Sequence, residues 1–224
     1  MVSPMAPAIH IRDLCFAWPG QTAPCLTLSA LDVDQGEQVF IQGESCAGKS
    51  TLLNLIGGVL VPRQGSLQIL DQALDALSPP ARDRFRVDHI GFIFQQFNLL
   101  PYLSALDNVL LPCRFSATRA RRAGARPVEE ARRLLDALEV DAGDAARPAS
   151  TLSVGQQQRV AAARALIGRP ELILADEPTS ALDPRRQDAF LTLLGKEVAA
   201  HGSSLVLVSH DPRLASRFDR CITL

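Results

Sequence analysis

The segment Gly43-Glu44-Ser45-Cys46-Ala47-Gly48-Lys49-Ser50-Thr51 fits the pattern G-x-x-x-x-G-K-[ST] and directly follows the apolar run Glu37-Gln38-Val39-Phe40-Ile41-Gln42. Few short patterns constrain a fold as strongly. The glycines let backbone N–H groups wrap a polyphosphate, the lysine reaches the β/γ oxygens, and the hydroxyl holds Mg²⁺. That geometry needs a strand entering the loop and a helix leaving it, so a strand is expected at 37–42 and a helix from Lys49 to Ile56, closed by Gly57-Gly58. Two more stretches follow in order: Leu152-Ser153-Val154-Gly155-Gln156-Gln157-Gln158-Arg159, and Leu174-Ala175-Asp176-Glu177-Pro178, where an apolar strand ends in paired carboxylates. Together they imply nucleotide hydrolysis.

Lys49 is expected on the β/γ phosphates, with backbone amides from Ser45 to Ser50 and the helix N-terminus neutralising further charge. Ser50 is expected to ligate Mg²⁺, and Asp176 to hold the metal directly or through water. Glu177 is the candidate base, because in-line displacement needs a group opposite the leaving phosphate to orient and deprotonate water.

Other features bound the class. The 224 residues suffice for one α/β domain with a sizeable core and an inserted subdomain. Charge is nearly balanced, 23 basic against 24 acidic residues, so there is no broad footprint for nucleic acid. The start, Met1-Val2-Ser3-Pro4-Met5-Ala6-Pro7, lacks a basic region and a following apolar run of secretory length. No stretch reaches the roughly 20 apolar residues that span a bilayer, so any membrane-crossing part is expected on another polypeptide. Cysteines at 15, 25, 46, 113 and 221 form no C-x-x-C pair and suit a reducing cytoplasm.

Ile9-His10-Ile11-Arg12-Asp13-Leu14 and Leu26 to Val33 alternate with a period near two, as half-buried antiparallel strands do. Ile90 to Phe94, Leu172 to Ala175 and Leu205 to Ser209 read as parallel core strands. Residues 96–155 read as a mainly helical insert, in which Ala131, Leu134, Leu135 and Leu138 share one helical face. The densest basic cluster, Arg119 to Arg126, is either a solvated face or a contact for anionic lipid or an acidic loop.

These motifs, in this order, resemble the ATP-binding subunit of an ABC transporter from about residue 9 onward. The resemblance implies an α/β P-loop (RecA-like) core with an antiparallel β subdomain, 1–95 and 156–224, and a helical subdomain at about 96–155. It further implies that ATP and Mg²⁺ are bound at a head-to-tail dimer interface. There the phosphate loop of one copy faces the Leu152–Arg159 segment of the other, with Ser153 and Gly155 at the γ-phosphate and Gln156 among the nucleotide-binding residues. A separate integral membrane permease is the implied partner, with the chain peripheral on the cytoplasmic face of the cell membrane and no nucleic acid.

By the same resemblance, His210 is the switch histidine that contacts the γ-phosphate, the alternative being a structural histidine. Gln95 is the glutamine that reaches Mg²⁺ and the water, with Gln96 the rival register. Trp18 is the adenine-stacking ring, against Phe16 or a packing role, and Asp183 belongs to a loop through which the two sites sense each other, against a helix N-cap. Two positions depart from the family. Cys46 and Val154 stand where glycine is usual; the thiol beside Lys49 is expected to react readily when the pocket is empty, and the β-branched side chain limits backbone approach to a phosphate. Both are nonetheless expected to be tolerated with nucleotide binding intact, the alternatives being redox control at Cys46 and slowed turnover from Val154. The run Gly91 to Pro101, continuing through Ala105 to Val109, looks most like the branch of macrolide-export and lipoprotein-release ATPases. Cys221-Ile222-Thr223-Leu224 fall short of the final strand and Asp-Gly turn such proteins often add. A low-turnover regulatory module, or a soluble ABC ATPase working on nucleic acid or ribosomes, are the competing classes.

Overall fold

The structure is a computed structural model and describes residues 7–44 and 47–224. Its centre is a parallel sheet in the order β6-β7-β8-β3-β9. Here β3 is Gln38–Gln42, β6 Ile90–Ile93, β7 Leu172–Asp176, β8 Ser204–Ser209 and β9 Arg220–Thr223. All of β8 and the first four residues of β7 are buried, as strands covered on both faces must be. Because side chains alternate across a strand, the sheet feeds two cores. Val39, Ile41, Leu172, Leu174, Val206 and Val208 point into one, with α1 (Lys49–Ile56) and the antiparallel sheet. Phe40, Ile173, Ala175, Leu205 and Leu207 point into the other, with the helices that follow. Each such Leu or Val stabilises the fold by roughly 1.5–3 kcal/mol relative to exposure.

The antiparallel sheet runs β2-β1-β4-β5, with β1 Ile9–Phe16, β2 Leu26–Val33, β4 Gln64–Ile69 and β5 Gln72–Ala73. β1 extends beyond the expected end at Leu14. Its buried residues change phase, from Ile9 and Ile11 to Leu14 and Phe16. A bulge explains this: the register against β4 shifts between Arg12 and Cys15, and Asp13 takes φ 47°.

The second core is closed by α3 (Ala105–Phe115), α4 (Ala117–Arg122), α5 (Pro127–Ala137), α6 (Ala142–Ala145), α7 (Val154–Leu166) and α8 (Pro184–His201). The face expected on α5 is the one buried: Ala131, Leu134 and Leu135, with Leu138 just past its end. α7 begins within the segment assigned to the helical insert and runs into the core, so the expected boundary at 155 falls in its first turn. α2 (Pro79–His89) and the pair β4 and β5 had no counterpart in the sequence reading.

Two expectations are corrected. The C-terminal run does not fall short of a strand: β9 pairs in parallel with β3, Phe40 opposite Cys221 and Ile41 opposite Ile222. Nor is the basic cluster a uniform solvated or lipid-facing patch. Arg119 is 1% exposed, Arg122 pairs with Glu171 (2.8 and 2.5 Å), and Arg126 pairs with Glu129 (2.9 Å). Arg119 and Arg122 are used within the chain, while Arg121 and Arg126 remain on an exposed face.

Candidate active site

β3 carries the chain to Gly43, and the loop re-enters helical geometry at Gly48, whose φ is 89°. A Cβ at Gly48 meets Leu26 Cδ1 at 3.2 Å and the Cys25 carbonyl at 3.3 Å, so the turn requires glycine by conformation and by space. Gly48 brings no side chain to cap α1, which leaves the helix N–H groups and the positive end of its dipole for an anion. Lys49 is 8% exposed, and its Nζ donates to the carbonyls of Gly43 (2.7 Å) and Glu44 (2.9 Å). Ala47 N–H donates to Glu44 O at 3.2 Å. Ser45 and Cys46 lie outside the described residues.

Opposite this loop, β7 is held between β6 and β8 and delivers Asp176 at its C-terminal end. Asp176 Oδ1 is buried without a hydrogen-bond partner among the described residues. Burial pushes this carboxyl above its usual range; the Ser50 hydroxyl pulls the other way, Glu177 adds to the rise and Lys49 opposes it. Glu177 follows in the left-handed region, φ 45°, its N–H donating to Val208 O at 3.0 Å. Its carboxylate accepts from His210 Nδ1 (2.9 and 3.0 Å) and from Ser209 Oγ (3.1 Å). The sheet register sets this meeting, since β7 and β8 are paired from Leu172 with Ser204 to Asp176 with Val208.

Of these groups Lys49, Glu177 and His210 face a cleft of about 430 Å³, which is also lined by Trp18, Cys25, Gly48, Ser50, Thr51 and Gln95. Trp18, 43% exposed, stands edge-on to Phe16 with ring centroids 5.2 Å apart, and Phe16 is buried behind it. Of the two candidate rings, Trp18 is the one at the cleft. Gln95, not Gln96, lines it. An unpartnered, buried Asp176 oxygen beside the Ser50 hydroxyl is a hard oxygen donor set that fits Mg²⁺, which binds few protein groups and leaves positions for phosphate and water. Among the described residues no cluster of three or more His, Cys, Asp or Glu forms an all-protein metal cage.

The remaining candidates are not brought to this cleft. Ser153 caps α7 by accepting from Gln156 N–H, while Gln156 Oε1 accepts from Ser153 N–H in a reciprocal capping box. The Gln156 amide also donates to Asp144, so its polar atoms are engaged within the chain. Gly155 sits in open space, with only Leu182 Cδ2 at 3.9 Å from a Cβ placed on it, and Val154 is 49% exposed. Asp183 caps α8 by accepting from Arg186 N–H at 3.1 Å, as the N-cap alternative expects. The sequence reading missed Cys25 in the cleft and Ser209 on Glu177; proximity to His210 was the available signal for the second.

A protein-family model described as ABC transporter matches residues 26–180. The chain is 41% identical over 201 residues to the uncharacterized ABC transporter ATP-binding protein YbbA of Escherichia coli (strain K12), spanning 89% of this chain and 85% of that protein. It is 37% identical over 219 residues to the lipoprotein-releasing system ATP-binding protein LolD of Syntrophotalea carbinolica, spanning 97% and 94%. Against the macrolide export ATP-binding/permease protein MacB of Rhodopirellula baltica it is 40% identical over 202 residues, which is 90% of this chain and 29% of that protein. Among solved structures, a dimeric post-hydrolysis state of the ATP-binding cassette MJ0796 bound to ADP and Pi superposes with a TM-score of 0.86 at 37% identity, covering 96% of this chain and 94% of that one.

Proposed function

This chain belongs to the ABC transporter family of ATP-binding proteins, and from that premise we propose that it hydrolyses ATP with Mg²⁺ to drive a membrane permease in export or lipoprotein release. The observation that carries the hydrolytic reading is the meeting of Lys49, Ser50, Gln95, Glu177 and His210 around one cleft from distant parts of the chain.

In the proposed mechanism, Lys49 exchanges the Gly43 and Glu44 carbonyls for the β/γ phosphates, and the uncapped end of α1 receives the remaining charge. Ser50 and Asp176 would hold Mg²⁺, which when bound neutralises phosphate charge. Glu177 takes a proton from water, held in place by Ser209 and His210, and Gln95 reaches toward the same water. Trp18 stacks on adenine.

Ser153 and Gly155 lie away from this cleft, which supports a site completed by a second copy, with Asp183 between the two nucleotides. The dimeric form of the MJ0796 cassette supports the same arrangement. The permease lies on another chain or another part of the polypeptide: MacB joins ATP-binding and permease in one name, and this chain matches 29% of it. No helix among the described residues is long and apolar enough to cross a membrane; a peripheral position on the cytoplasmic face is part of the same proposal.

The test is sizing and crosslinking of Glu177→Gln with Mg-ATP, together with phosphate release from the wild type. Dimers that form only with nucleotide, and release that the variant loses, are the expected results. Monomers throughout, even beside a copurifying membrane partner, defeat the reading.

A further inference from the structure

Gln95 lies between two anchored points. Upstream, β6 ends at Ile93, which is paired with Ala175 of β7. Downstream, Phe97 and Asn98 take φ 59° and 49°, consecutive left-handed residues that cost free energy in an L-chain, most of all for a bulky Phe. Short turn bonds, Phe97 N–H to Phe94 O (3.0 Å) and Asn98 N–H to Gln96 O (2.6 Å), shape this turn without attaching it to the rest of the molecule.

Asn108 holds Leu100, two residues further on, and Arg164 attaches the turn itself. From the last turn of α7 its guanidinium donates to Phe97 O and Asn98 O, both at 2.6 Å. Among the described residues no carboxylate pairs with it, and burial pulls it down to about 10, still charged at neutral pH. The fork geometry of arginine suits two neighbouring acceptors, whereas a lysine offers a point charge. Arg164 is itself held. Arg119, buried, donates to the Ala165 carbonyl (2.7 Å) and to Ile90 O (3.2 Å), joining the end of α7 to the start of β6. At Gly91 an added Cβ would lie 2.3 Å from Ala165 O, so strand and helix end are in direct backbone contact.

We infer that Arg164 is a positioning residue for Gln95: it pins the strained turn that follows the glutamine to the C-terminal end of the helix whose N-cap is Ser153. The helix has 13 residues and spans about 20 Å at 1.5 Å per residue. A displacement at the Ser153 end, where the proposed second copy presents its nucleotide, is thereby transmitted to the turn that aims Gln95 at the chain's own cleft. This rests on the reading of Gln95 as a hydrolytic residue.

The test is a double-mutant cycle on the full chain, reading phosphate release across an ATP titration, with thermal midpoints in parallel. Arg164→Gln is expected to lower kcat by about 10- to 100-fold, the scale of a small misplacement, and to leave KM within about twofold because the phosphate loop is untouched. In a Gln95→Ala background the same substitution is expected to add nothing. Arg164→Lys, which keeps charge and bulk but not the fork, is expected to fall between, and it carries the cycle if Arg164→Gln does not fold.

Equal losses from the Arg164 variant with and without Gln95 overturn the inference, as does an unchanged kcat or an effect confined to KM. If Gln95→Ala alone keeps full turnover, the reading of Gln95 fails and the inference falls with it. If Gln95→Ala is slow and the Arg164 effect is additive, only the clamp fails.

Discussion

One carboxylate immediately precedes β7 and another ends it, and they are treated in opposite ways. At the N-terminal end, Glu171 accepts a bidentate pair from Arg122 and a bond from His89 at 3.2 Å. Burial pushes its carboxyl up, but the His89 and Arg122 hydrogen bonds outweigh that and bring it to about 2. At the C-terminal end, Asp176 keeps a buried oxygen with no partner among the described residues, and its carboxyl is raised. One strand thus separates an acid satisfied by its own chain from one left for a ligand. Open α/β sheets bind ligands beyond the carboxyl ends of their strands, and here the polar accounting of a single strand shows which end is which.

The sharpest break of this contrast is Glu177→Gln. It keeps the shape beside Ser209 and His210 but removes the base, so phosphate release should fall by about 100-fold or more with little change in thermal midpoint. Asp176→Asn should abolish Mg²⁺-dependent turnover yet make the nucleotide-free chain more stable, by about 2–4 °C for each ~1 kcal/mol of relieved burial. A fall in midpoint would mean that Asp176 is already satisfied and that the two ends do not differ.

Glu171→Gln should do the reverse. Turnover is retained, while stability falls by about 1 kcal/mol, a figure kept small because the pair is partly exposed and screened by solvent. The sign in acid follows from the depressed carboxyl. Its contribution is full above the ordinary value of 4.5 and is lost as pH falls toward about 2, so urea midpoints of wild type and Glu171→Gln should converge over that interval. Parallel curves would count against the depressed value. The smallest effect is expected from Val154→Gly. Val154 is half-exposed at the first position of α7, so turnover of the chain should change by less than about twofold, since truncation there removes no buried contact.

What was legible in the sequence was local. The phosphate loop, Asp176-Glu177 at the end of an apolar strand and His210 after another all declare themselves within a few residues, because strand, turn and chemistry are contiguous there. α2 was missed for a physical reason: none of its residues is buried, so no apolar stripe marks it. The bulge in β1 hid the length of that strand by breaking its alternation at Asp13. Arg119 and Arg164 were read as surface charge or not at all. Their partners are the carbonyls of Ile90, Ala165, Phe97 and Asn98, and a backbone acceptor leaves no mark in composition. Gln156 is expected toward a nucleotide held by a second copy; within the single chain its side chain closes a capping box and reaches Asp144.

The left-handed backbone at Glu177 bears on how this protein would evolve under laboratory selection. An L-residue at φ 45° stores roughly 1 kcal/mol that glycine would release. A library screened only for heat resistance should therefore enrich Glu177→Gly, a sturdier molecule that no longer turns over, unless activity is selected in the same round.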